Sequence, residues 1–64
     1  MKYPQIKVKL SGNDGNAFFI LGLVRQAMRR AGISQDKITE FCDAATKGDY
    51  NHLLQTCMEW VDVQ

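Results

Sequence analysis

The sequence predicts a small α+β domain, mostly helical: one N-terminal strand, then three helices, then a short C-terminal segment able to form a second strand. Three observations lead there. Gln5–Leu10 alternates apolar and polar residues. Three later stretches repeat apolar residues at helical spacing between capping residues. The chain has 64 residues, 45% of them hydrophobic, which suffices for one domain over residues 1–64. A chain of this size buries only about 60% of the surface that its unfolded form exposes. Its core is therefore thin.

In the strand, Ile6, Val8 and Leu10 face one way, and Lys7 and Lys9 face the other. Pro4 suits the first strand position, where no ladder donor is needed. Ser11–Asn16 reads as a turn, because every residue in it is small or tolerates unusual dihedrals. Helix 1 is expected from Ala17 to Ala31, capped by Asn16 or Asp14 and stopped by a left-handed Gly32. Ala17, Ile20, Leu21, Val24, Ala27, Met28 and Ala31 form its apolar stripe.

Helix 2 is expected from Gln35 to Lys47, with Ser34 as cap, Ile33 and Ile38 as a hydrophobic staple, and Gly48 as its end. Ile38, Phe41, Cys42 and Ala45 make its inner face. Helix 3 follows behind an Asp49 cap, with Leu53, Leu54, Cys57, Met58 and Val61 recurring at helical spacing. The helices are expected to pack through Val24, Ala27, Met28, Phe41, Cys42, Leu53, Leu54 and Cys57. Tyr50 and Trp60 read as covers of the core edge.

A lone strand leaves backbone groups without partners. Two partners for Ile6–Leu10 present themselves. Trp60–Val63 can extend and pair with it, which would bring Asp62 within reach of Lys7 or Lys9. Alternatively, two copies of Ile6–Leu10 can pair across a dimer axis.

The formal charge is only +1, which argues against a strongly basic nucleic-acid binder. That total hides a division. Residues 1–32 carry six Lys and Arg against Asp14, a net +5, while residues 33–64 carry a net −4. Cys42 and Cys57 make no disulfide scaffold, and with His52 they fall short of a four-ligand metal set. No apolar run reaches the length of a membrane span. Residues 1–4 lack the apolar core of a secretion signal, so a cytoplasmic setting with reduced cysteines is expected.

The segments Asp14-Gly15-Asn16-Ala17-Phe18, Gly48-Asp49-Tyr50-Asn51-His52-Leu53-Leu54 and Met58-Glu59-Trp60-Val61-Asp62-Val63 occur here in a definite order. In this the chain resembles a group of small bacterial and phage-borne hypothetical proteins with no established activity. The resemblance covers most of the chain and implies a bacterial or prophage setting. It carries over no functional residues.

Plainer roles account for several candidate sites. Gly12 and Gly15 precede a helix, yet no lysine-serine or lysine-threonine pair follows, and Asp14 would repel an anion. A tight turn explains them. His52 has Asp49 at i−3 and Cys57 at i+5, so the sequence aligns no Cys–His pair. Both cysteines lie on apolar helix faces and read as core. Asp36, Glu40 and Asp43 read as a solvated face. No catalytic residue, cofactor, metal or small-molecule substrate is expected, and the chain offers little material for a large pocket.

Two features point to partners. Phe18, Phe19 and Leu23 fall outside the apolar stripe of helix 1, and Gly22 weakens that helix, which suggests close approach by another backbone. Arg25, Arg29 and Arg30 form the densest basic patch. Together Phe18, Phe19, Arg25, Arg29 and Arg30 mark a candidate surface for a protein partner or a second copy. The function expected is thus a small non-enzymatic interaction or accessory module. The rival reading is a nucleic-acid-binding regulator, because Met28–Ile38 resembles the corner of a helix-turn-helix with Ser34, Gln35 and Asp36 at the base edges. Helix 2 nevertheless carries a net charge of −1 and would neutralise few phosphates.

Overall fold

The computed structural model describes residues 1–10 and 16–64. Its order is β1 (Tyr3–Val8), α1 (Ala17–Arg30), α2 (Gln35–Ala45), α3 (Tyr50–Trp60) and β2 (Val61–Val63). All of the expected Ser11–Asn16 turn except Asn16, with the Asp14 cap and the Gly12 and Gly15 loop, lies outside the described residues. The fold is α+β and mostly helical. β2 pairs with β1 in parallel, with Lys7 opposite Asp62 and Val8 opposite Val63. The C-terminal partner is therefore the one β1 uses. Lys7 Nζ lies 3.0 Å from the Asp62 carboxylate, so of the two lysines it is Lys7 that meets Asp62.

Each helix starts where its cap allows. Phe18 N–H donates to Asn16 Oδ1 at 2.8 Å, Lys37 N–H to Ser34 Oγ at 3.4 Å, and His52 N–H to Asp49 Oδ1 at 2.9 Å. These bonds satisfy donors that the first helical turn leaves orphaned. Gly32 takes φ +85°, the left-handed value that favours glycine. Its N–H donates to the Arg29 carbonyl, and Ile33 N–H donates to the Met28 carbonyl. This pair of bonds is the Schellman arrangement that turns a chain sharply out of a helix.

The core joins one face of every element. Val24, Met28, Phe41, Ala45, Cys57 and Val61 are fully buried, and Ile6, Val8, Ile20, Leu21, Ile38, Leu53 and Trp60 close around them. Ala27, Cys42 and Leu54 pack against this core only in part. Trp60 is a hub rather than an edge cover. Phe41 meets it edge-on at 5.5 Å, Tyr3 tilts against it at 6.1 Å, and Lys2 Nζ sits 4.0 Å from its ring centre. Such a cation over an indole face is attracted by the ring's negative face.

Several expectations are corrected. β1 begins at Tyr3, which puts Pro4 inside the strand, within a register irregularity between Tyr3 and Lys7. Pro4 is tolerated there because a bulged residue need not donate to the ladder. α2 ends at Ala45, two residues early, because Thr46 folds back and its hydroxyl donates to the Cys42 carbonyl at 2.8 Å. Ala31 is exposed, as the C-cap of α1. The inner face of α3 is rotated: Thr56 and Trp60 are buried and Met58 is exposed. Thr56 can be buried because its hydroxyl donates to the His52 carbonyl at 2.8 Å. Gly22 receives no close approach from the described residues, since a Cβ there would meet none of them within 4 Å.

Gly48 has a different role from helix stop. A Cβ there would lie 2.8 Å from both Cβ and Cγ of His52. The His52 ring, with Nε2 donating to the Ala44 carbonyl at 2.8 Å, leaves that space only to hydrogen. Gly48→Ala is expected to destabilise the chain by about 1–3 kcal/mol in urea unfolding, as overpacking does. His52→Ala should recover part of that loss in the double variant, because it removes the Cγ contact but keeps the Cβ contact, a coupling that a mutant cycle measures.

Candidate functional site

The arginines and phenylalanines singled out from the sequence all lie on α1, but not as one patch. Phe18, Gly22, Arg25 and Arg29 follow one another at spacings of four, three and four, and so form a single stripe. Phe19, Gln26 and Arg30 form a second stripe, turned away from the first. The stripes border different neighbours. Arg29 Nη2 donates to Gln35 Oε1 of α2 at 3.4 Å, and Arg25 lies close enough to Cys42 of α2 that its charge favours the thiolate. Arg30 instead lines a groove with Gln5, Ile6 and Lys7 of β1.

Phe18 is 83% exposed and Phe19 45% exposed. Neither the strand nor the tail covers them, whereas Leu23 packs against the core. Phe18 forms one wall of an apolar groove where the start of α1, the end of α2 and the start of α3 converge. Leu21, Ala45, Tyr50 and Leu53 line the rest of it, and its volume is about 240 Å³. Tyr50 is exposed as well. This groove and the one beside Arg30 were not legible in the sequence, which suggested little material for a large pocket. The first forms where the ends of three helices converge, and the second forms between β1 and the C-terminal end of α1.

Among the described residues, two ion pairs form: Lys7 with Asp62, and Lys37 with Glu40 at 3.9 Å. The basic half and the acidic half of the chain thus meet through Lys7 and Asp62. Arg25, Arg29 and Arg30 are exposed and form no ion pair among the described residues.

His52 holds two helices together. Its Nε2–H donates to the Ala44 carbonyl in the last turn of α2, which also accepts a longer bond of 3.5 Å from Lys47 N–H. The sequence hint was its place in the first turn of α3, just after the α2–α3 turn. Among the described residues, no group of three or more His, Cys, Asp or Glu is placed to hold a metal ion, and no helix is long and apolar enough to cross a membrane. No protein-family model, curated protein or solved structure matches the chain.

The cysteines belong to the α2–α3 packing. Cys57 is buried and Cys42 half-buried. Burial pushes the Cys57 thiol up from the ordinary 9.0 to about 11, with the neighbouring Cys42 adding to the rise. Burial also raises Cys42, against the opposing charge of Arg25. The folded chain therefore holds the Cys57 proton more tightly than the unfolded chain does. This contribution to stability is complete below about pH 9 and is lost as pH rises through about 11. Urea unfolding should show stability falling across that window, and Cys57→Ala should flatten the fall.

Proposed function

We propose that this chain is a small non-enzymatic interaction module, which docks a protein partner on the Phe18 stripe of α1. The observation that carries this reading is Phe18, a large apolar side chain 83% exposed on the wall of an apolar groove. Such an exposed aromatic beside a concave apolar surface has the form of an interface anchor. Arg25 and Arg29 continue the same stripe and favour a partner that carries acidic groups around an apolar side chain. A second copy of the chain offers acidic residues of that kind on α2, where Asp36, Glu40 and Asp43 are exposed.

Gly22 supports the same reading. It sits between Phe18 and the arginines and costs the helix about 1 kcal/mol relative to alanine. Among the described residues nothing requires it, since a Cβ there would meet none of them within 4 Å. A docked backbone would use that space. The acidic outer face of α2 weighs against the nucleic-acid reading, because phosphate contacts would have to come from α1, Lys7 and Lys9 instead of from the helix that would enter the groove.

Phe18→Glu should leave the circular dichroism spectrum unchanged. It should also abolish concentration-dependent self-association in sedimentation, or remove a discrete set of proteins from those retained by the wild-type chain in parallel affinity capture. Equal mass and equal retention for the two proteins would overturn the reading. A nucleic-acid titration with a steep salt slope that Arg29→Ala reduces would favour the regulator instead. Gly22→Ala should raise folding stability by about 0.5–1 kcal/mol while weakening whatever association Phe18→Glu removes.

A further inference from the structure

β1 has two edges, and β2 occupies one. The Val8 carbonyl accepts from Gln64 N–H at 2.7 Å, and Leu10 N–H donates to the Gln64 carbonyl at 3.1 Å. Backbone groups of successive strand residues point to alternate sides. Those of Lys7 and Lys9 consequently point away from β2, and no described residue pairs with them. The opposite edge of the sheet is poorer. β2 has three residues, and Val61 N–H is already donated to the Cys57 carbonyl.

The open edge of β1 is bordered by a shallow groove of about 350 Å³. Gln5, Ile6 and Lys7 form one wall, and Ala27, Arg30 and Ala31 of α1 form the other. The small Ala27 and Ala31 leave room for side chains of an added strand. The charge here has one sign. Arg30 stands on the groove wall, Lys7 is 62% exposed on the outer sheet face, and among the described residues no acidic one lines the groove. Lys9 lies on the same outer face and forms no ion pair among the described residues.

This charge selects the occupant. A second copy of β1 added edge to edge would put Lys7 and Lys9 against the same two lysines, and like charges directly opposite each other destabilise a strand pair. Lysines on an open edge act against self-pairing for this reason. An acidic strand meets the reverse situation. It would extend the Asp62–Lys7 pairing across a third strand and give Lys9 and Arg30 counter-charges.

The geometry points to the outer edge of β1 as a docking site for an extended acidic peptide segment, which adds a third strand between β1 and the C-terminal half of α1. This surface is separate from the Phe18 groove and stands or falls independently of it. Main-chain bonds from Lys7 and Lys9 supply the register, and acidic side chains opposite the lysines supply the selectivity.

The test uses the full chain and a synthetic heptapeptide, Thr-Val-Glu-Val-Glu-Val-Thr, titrated by nuclear magnetic resonance with amide exchange read at each residue. The expected result is binding, with exchange at the Lys7 and Lys9 amides slowed at least about tenfold, as new strand hydrogen bonds require. Replacing the two peptide glutamates by lysine, or using the Lys9→Glu, Arg30→Glu double variant, should weaken binding about tenfold, the sum of several cross-strand charge pairs. Both substituted side chains are exposed, so the fold is not at issue. No binding at about 1 mM peptide would overturn the site. So would unweakened binding of both of two peptides, N-methylated at one or the other set of alternate amides, since one set must face β1, or shifts confined to Phe18 and Leu53. Lys7 and Lys9 protection that rises with protein concentration in the absence of peptide would also overturn it, because the occupant would then be a second copy.

Discussion

The structure depends on the parallel pairing of a six-residue strand with a three-residue one. β1 cannot stand alone, because its inward backbone groups would be buried without partners. Parallel pairing demands that the chain travel the length of the domain and return, and α1, α2 and α3 make that crossover. α3 must then stop at Trp60 and extend at once, with no turn between helix and strand. Trp60 stands at this switch and packs against Phe41 of α2 and Tyr3 of β1. One side chain thereby joins the strand pair to the helical layer.

The same closure arranges the charges. The two oppositely charged halves of the chain could have neutralised each other broadly, yet they meet through Lys7 and Asp62. The three arginines of α1 are left facing solvent. α1 is amphipathic in an unequal way, with Ile20, Leu21, Val24 and Met28 turned into the core and aromatic and cationic groups left on two outer stripes. One stripe leads to the groove at the start of α3, and the other leads to the open edge of β1. The domain thus presents two dissimilar surfaces, one apolar and aromatic, the other main-chain and cationic.

Much of the fold was legible residue by residue. Asn16, Ser34 and Asp49 announce the three helix starts because short polar side chains satisfy orphaned amides locally. Gly32 announces the end of α1 because glycine readily takes the left-handed conformation. The inner faces of α1 and α2 follow from apolar spacing. α3 was misread by one position around its axis. Its pattern contains two overlapping apolar sets, and only the seating of Trp60 against Phe41 chooses between them. The site was legible in part: Phe18, Phe19 and the arginines stand out as residues the core does not need. That they divide between two neighbours depends on where α2 and β1 pack, and local sequence carries no record of it.

Caps, spacing and turn residues are interactions between near neighbours in the chain, so the sequence by itself determined the element order, the helix starts and the surplus on α1. The tertiary structure alone decided that the C-terminal residues pair with β1, that Gly48 must yield space to His52, that Gly22 is approached by none of the described residues, and that grooves form beside Phe18 and beside β1. Each of these depends on groups distant in sequence being brought into contact or left apart, and that is settled only when the whole chain packs.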